Sequence, residues 1–395
     1  MKTYDVVVVG SGIYGITAAL ELYTRGHRVG VIDPGPIPHP LAASTDISKA
    51  IRAEYGADEE YTIMMEEARL KWLAWNVEFN ETLYTECGTT MLTRGPMLPG
   101  SYEHDSYEVC KRRGHPLERL NADDIRRRFP AWNANLYTDG YFSQHAGWAA
   151  SGRVVEVLAH KAQRIGIDLY PGQTAAELLN EGDRVIGVRT REGETFHANT
   201  VLVAMGQWSW LLVPELKKVM QSNGMPVVHI KPADPRLFAP PLFVNWAADV
   251  ARTGFYGFPL HPKEGVVKIG YHGAGQRDMN PEKDDRVVND ADIQRVRAFV
   301  AETFPALVDA PIVYTRRCLY CDTFDEHFWI DRHPQRPGLV VAAGGSGHGF
   351  KFGPIFGDLI ANAVEGKTDW RLHKFRWRSP EESVGIKEAS RFHEA

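Results

Sequence analysis

Four short stretches carry residue types spaced for chemistry. Near the start, Gly10-Ser11-Gly12-Ile13-Tyr14-Gly15 is a Gly-x-Gly-x-x-Gly, and Asp33 follows Gly15 by 18 residues. Far downstream, Arg316-Arg317-Cys318-Leu319-Tyr320-Cys321-Asp322-Thr323-Phe324-Asp325 sets two thiols three residues apart. Gly344-Gly345-Ser346-Gly347-His348-Gly349-Phe350-Lys351-Phe352 follows, a glycine-rich turn holding an imidazole and an ammonium. Between them, Val267-Lys268-Ile269-Gly270-Tyr271-His272 places one lysine in an apolar run.

The first stretch reads as a dinucleotide site. Val6-Val7-Val8-Val9 before it is a buried parallel strand, and Ile16, Ala19, Leu20 and Tyr23 after it recur at helical spacing. Gly10 permits a tight turn, Gly12 lets the backbone approach a pyrophosphate, and Gly15 allows close helix–strand packing. The helix N-terminus offers N–H donors to phosphates. Val29-Gly30-Val31-Ile32 is the next strand, ending at Asp33, where an acid binds ribose hydroxyls. The motif alone does not choose FAD over NAD.

Cys318 has three readings. A free cysteine is most simply a small buried apolar residue. Cys318 and Cys321 together form a Cys-x-x-Cys, a redox pair or half a zinc site. No metal is expected, because Cys87 and Cys110 are distant in sequence and 23 residues apart. The third reading is covalent attachment to a flavin. It needs a thiolate, which Arg316 and Arg317 would favour. The Gly344–Lys351 block, between an apolar run and a helical one, is an anion site, a second phosphate loop or a plain turn. Lys268 is either a buried functional cation or a lysine facing water.

The rest of the chain must position these residues. Helices are expected from about Asp58 to Trp75, Asp123 to Phe129, Ser151 to Ile165, Asp290 to Thr303 and Pro354 to Val364, the last stopped by Gly366. Strands are expected at Val185–Val188, Thr200–Gly206, Val266–Tyr271 and Leu339–Ala343. Residues 86–145 read as mixed, residues 166–182 as less regular, and the polar tail after Arg378 as frayed.

At 395 residues, with 44% apolar and 24% charged residues, the chain suits a two-domain globular enzyme. A net charge of −5 argues against nucleic acid or an anionic membrane as partner. No run approaches the roughly 18 apolar residues of a membrane span. Met1-Lys2-Thr3-Tyr4 leads straight into a strand, so no secretory leader is expected. With four cysteines, a reducing cytoplasm is the expected location.

The motifs together resemble the flavin-dependent amine oxidases typified by monomeric sarcosine oxidase, a group that includes N-methyltryptophan and fructosyl-amino-acid oxidases. Its Cys-x-x-x-(Asp/Asn)-Thr-x-Asp segment is matched by Cys318, Asp322, Thr323 and Asp325. Its Gly-His-Gly-Phe-Lys-Phe block is matched by residues 347–352. The resemblance implies FAD, linked through Cys318, in an α/β chain that is α+β overall. A Rossmann domain of the glutathione-reductase type would comprise residues 1–85, 146–218 and 322–395. A mixed-sheet substrate domain would comprise residues 86–145 and 219–321.

The resemblance also implies site residues. Gly10, Gly12, Ile13, Tyr14, Gly15, Asp33, Ser44, Ser48, Lys49, Gly345, Gly347, Gly349 and Lys351 would contact FAD. Lys268 would promote reaction with oxygen, and His348, Tyr256 and His272 would line the substrate cavity, although His272 equally suits a core position. Arg52 and Lys351 would hold a substrate carboxylate. Ile47 and Lys49 depart from the sarcosine oxidase pattern, and Asp46-x-Ser48-Lys49 leans toward the fructosyl-amino-acid oxidases.

The implied reaction is oxidation of a secondary amine, an N-substituted α-amino acid, to an imine with release of hydrogen peroxide. A monomer is expected, with the amine and oxygen as its small-molecule partners. A dehydrogenase passing electrons to a quinone or partner protein is the alternative.

Overall fold

The four-valine run forms the strand β1 (Lys2–Val9), followed by the helix α1 (Ile13–Thr24) and the strand β2 (Val29–Asp33). The computed structural model describes residues 2–382 and 387–392. β1 lies between β2 and the strand Thr195–Val203, parallel to both, with Val7 opposite Gly30 and Val201. Their apolar residues are buried on both faces, with Val6, Val8, Val31 and Leu202 in one core and Val7, Val9, Ile32 and Val201 in another. Asp168–Pro171 adds to β2, and Leu339–Ala343 pairs with the far end of Thr195–Val203. Among the described residues this sheet has eight strands, including an antiparallel hairpin at one edge.

Residues 166–182, expected to be less regular, contain two strands, Asp168–Pro171 and Ala175–Glu181. Both are largely exposed edge strands, so their pairing leaves no apolar alternation in the sequence.

A second eight-stranded sheet runs in the order Ile312–Thr323, Met220–Ile230, Val267–Tyr271, Phe255–Gly257, Asn245–Ala248, Thr89–Thr93, Asp139–Ser143 and Leu117–Asn121. Its pairs are antiparallel except Asn245–Ala248 with Thr89–Thr93. The strand Ile312–Thr323 links the two halves of the molecule. Cys318 belongs to the apolar core beneath the second sheet, and Cys321 to the core of the first. An odd spacing of three puts the two thiols on opposite faces of one strand.

The helix Gly353–Glu365 packs against α1 and ends at Gly366, which has a left-handed backbone at φ +69°. The tail corrects the frayed expectation in part. Residues 383–386 and 393–395 lie outside the described residues. Arg378 is buried in a two-pronged pair with Asp325 at 2.6 Å, and Glu388, Ser390 and Arg391 are buried. No described helix is long and apolar enough to cross a membrane.

Candidate active site

Two cavities meet in the interior. The larger, about 630 Å³, runs from Asp33 past Gly10, Gly12, Ile13 and Tyr14 to Cys318. The smaller, about 70 Å³, holds Arg52, Tyr256, His272, His348 and Lys351 in its wall. Lys49, Tyr320, Gly347 and Phe350 line both and form their junction.

The large cavity fits a dinucleotide. Gly10 turns with φ +100°, and a Cβ there would meet Ala204 O at 2.6 Å. A Cβ on Gly15 would lie 1.8 Å from Gly10 O, so Gly15 acts by letting α1 close on the turn. Gly12 differs. The nearest protein atom to a Cβ there is Ser44 Oγ at 3.4 Å, an ordinary contact, which leaves the space before it to a ligand. Gly12 offers α1 no side-chain cap and its first turn has no acid, so the positive end of the helix faces the cavity with only the Ile13 N–H taken by a side chain among the described residues. Ser44 Oγ accepts from Ile13 N–H at 3.0 Å. Asp33 Oδ2 accepts from both Ser11 N–H and Ser11 Oγ–H, which fixes the carboxylate at the cavity end. The Tyr14 hydroxyl is buried beside Gly345 and Gly349, with no hydrogen-bond partner among the described residues. The glycine-rich turn is held by Ser346 N–H to Cys321 O and His348 N–H to Gly345 O, and presents Gly345, Gly347 and Gly349 to the cavity.

At the far end, Lys49 Nζ stands 3.9 Å from Cys318 Sγ. Burial alone would lower the Lys49 pKa, but Cys318 and Asp46 raise it, so a cation faces the sulfur. The arginines expected to do this point elsewhere. Arg317 is buried against Asp292 on the opposite face of the strand, and Arg316 donates to the backbone oxygens of Ala42 and Thr45.

Lys268 is buried behind Lys49, outside the lining of both cavities. Its ammonium donates to Asp46 Oδ2 at 2.7 Å and to Ser48 O, and lies over the Phe258 ring. Burial pulls its pKa down to about 8 against the attraction of Asp46. Ser48 therefore acts through its carbonyl, while its hydroxyl is buried and unpartnered.

The small cavity has a connected polar wall. His348 Nε2 lies 2.9 Å from Glu326 O, which can only accept, so that nitrogen carries the proton. His348 Nδ1 then accepts from Tyr55 O–H at 3.0 Å. Lys351 Nζ donates to Tyr55 Oη and His348 O, both at 3.0 Å. Burial, together with Arg52 near Lys351, holds both His348 and Lys351 well below their ordinary pKa values. Tyr256 packs edge-on to His272. Arg52 donates to Glu54 O and to Ser390 Oγ.

Four of these residues were not anticipated. Tyr320 shares a strand face with Cys318, two residues away, and alternation alone reveals it. Tyr55 follows Arg52 by three residues in the same polar stretch, a weaker signal. Glu388 and Ser390 arrive from the tail, and nothing local marks them.

The chain resembles several characterised proteins over nearly its whole length. It is 27% identical to L-saccharopine oxidase of Schizosaccharomyces pombe, over 97% of this chain and 95% of that one. It is 28% identical to the monomeric sarcosine oxidase of Arthrobacter sp., over 96% and 97%. The crystal structure of fructosamine oxidase (Amadoriase II) from Aspergillus fumigatus superposes with a TM-score of 0.84 at 26% identity, over 100% of this chain and 94% of that one. The family model of the FAD dependent oxidoreductases (DAO) matches residues 5–363, and the chain belongs to that family.

Proposed function

We propose that this chain oxidises a secondary amine borne by an α-amino acid, with FAD as cofactor and oxygen as electron acceptor. The observation that carries the reading is the junction of the two cavities. A space of about 70 Å³, with Arg52 and Lys351 in its wall, adjoins the far end of a dinucleotide-sized cavity. The three named relatives, oxidases of saccharopine, sarcosine and fructosamine by name, support the same substrate class.

When bound, FAD supplies the two-electron acceptor for the C–H bond next to nitrogen and passes the electrons to oxygen, giving hydrogen peroxide. The chain's own groups position and protect. Arg52 and Lys351 orient the substrate carboxylate. The buried imidazole of His348, Tyr256 and His272 shape a cavity from which water is largely excluded. No strong base is required, because an uncharged substrate amine carries the lone pair that drives C–H cleavage. Lys49 keeps Cys318 beside a positive charge, and Cys318 tethers the cofactor. Lys268 supplies a fixed cation for the oxygen step. Residues 1–85, 146–218 and 322–395 form the cofactor domain and residues 86–145 and 219–321 the substrate domain, with Cys318 lining the cofactor cavity from the second and Arg52 and Lys351 lining the substrate cavity from the first. A reducing cytoplasm suits the four free cysteines.

Anaerobic mixing tests the substrate class. N-methylglycine or a larger N-alkyl amino acid should bleach the flavin absorbance, while glycine should not. Bleaching by primary amines alone, or by no amine in a broad panel, refutes the reading.

A further inference from the structure

The small cavity has an acid at its edge that the proposed reaction does not use. Glu388 is 4% exposed. Its Oε2 accepts from His272 Nε2–H at 3.0 Å. Its Oε1 accepts from Ser390 Oγ–H at 2.6 Å and lies 3.8 Å from Arg52 Nη2. Ser390 Oγ accepts from the same Arg52 nitrogen at 3.0 Å. The other prong of the guanidinium donates to Glu54 O. The arginine expected to receive a substrate carboxylate therefore already faces a carboxylate of its own chain.

The charge states sharpen this. Burial acts to raise the Glu388 pKa, but His272 and Arg52 outweigh it and hold the carboxyl well below its ordinary range. Burial lowers the His272 pKa against the pull of Glu388, and Arg52 is the fixed cation that faces Glu388, at 3.8 Å. A second anion arriving at Arg52 meets this fixed negative charge at ion-pair distance.

We propose that Glu388 is a specificity-determining residue, an internal carboxylate set on Arg52 that lowers the affinity of the substrate cavity for simple monocarboxylates. The proposal rests on the reading of Arg52 as a carboxylate anchor. It means that a monocarboxylate substrate must share or displace Glu388.

Acetate and its uncharged counterpart acetamide test this in the FAD-loaded full-length chain, with flavin absorbance reporting binding. The wild type should prefer acetate to acetamide by no more than about threefold, and Glu388→Gln should bind acetate about tenfold tighter or better, with acetamide changed less than about twofold. Unchanged or weaker acetate binding in Glu388→Gln overturns the proposal. So does a wild-type preference for acetate above about tenfold, a measurement that needs no variant. Adding Arg52→Ala to Glu388→Gln should abolish the gain. A gain that survives this change places the carboxylate elsewhere and refutes the underlying reading of Arg52, whereas no gain in Glu388→Gln refutes only the role of Glu388.

Discussion

Half-buried Lys49 and buried Lys268 both lie near Asp46, yet their surroundings suit them to different work. Lys49 looks into the cavities and toward Cys318, while Lys268 is locked to Asp46 and the Ser48 carbonyl. A cation near a thiol favours the thiolate needed for covalent attachment. Acid-precipitated wild-type protein should keep its yellow colour and show the mass of one FAD added, and Cys318→Ala should show neither. A colourless wild-type pellet contradicts the linkage. Lys268 loses its charge as pH rises through about 8, so reoxidation by oxygen should slow over that range. Lys268→Met should slow reoxidation about 100-fold and remove this pH dependence, with much less effect on reduction by substrate. Stopped-flow rates of the two half-reactions decide it, and equal slowing of both counts against the oxygen role.

At the scale of elements, the turn between β1 and α1 separates packing from ligand contact. Gly15→Ala forces a Cβ into the Gly10 carbonyl and should destabilise the protein by about 3 kcal/mol or prevent folding. Gly12→Ala meets only ordinary contacts, so it should fold with little loss of stability but hold FAD poorly. Thermal denaturation and flavin content measured together distinguish the two. An equal loss of stability in both variants contradicts the distinction.

This turn was legible because β1, α1 and β2 are local, strongly periodic elements with glycines at fixed offsets. Local blocks also singled out Lys268, His348 and Lys351, of which His348 and Lys351 line the small cavity while Lys268 lies outside both linings. Local logic failed where contacts are long-range. Ser390 meets Arg52 across 338 residues, and Asp46 meets Lys268 across 222. The edge strands between residues 168 and 181 were hidden for a related reason: partner strands, not their own side chains, define them. Arg316 and Arg317 showed the limit of counting charges, since only the fold decides which cation faces a thiol.

For the molecule as a whole, the tail anchors to the segment that follows Cys318 through Arg378, which is buried against Asp325. Removing one partner of a buried pair strands the other, so Arg378→Ala should cost about 3–5 kcal/mol at pH 7 by chemical denaturation. Burial works against the Asp325 charge, but Arg378 outweighs it and depresses the pKa. The pair therefore adds stability above the ordinary carboxylate pKa and loses it as pH falls through the depressed value. The gap between variant and wild type should narrow in acid, and a gap independent of pH contradicts the ion-pair account.

The proposed function requires amine oxidation and oxygen reduction by this chain alone. The most direct measurement is aerobic turnover of an N-substituted amino acid by the purified protein, with amine consumed, oxygen consumed and peroxide formed counted together. The account predicts one of each per turnover, with no added electron carrier. Amine-driven bleaching of the flavin that yields no peroxide until a quinone or protein acceptor is supplied would contradict it.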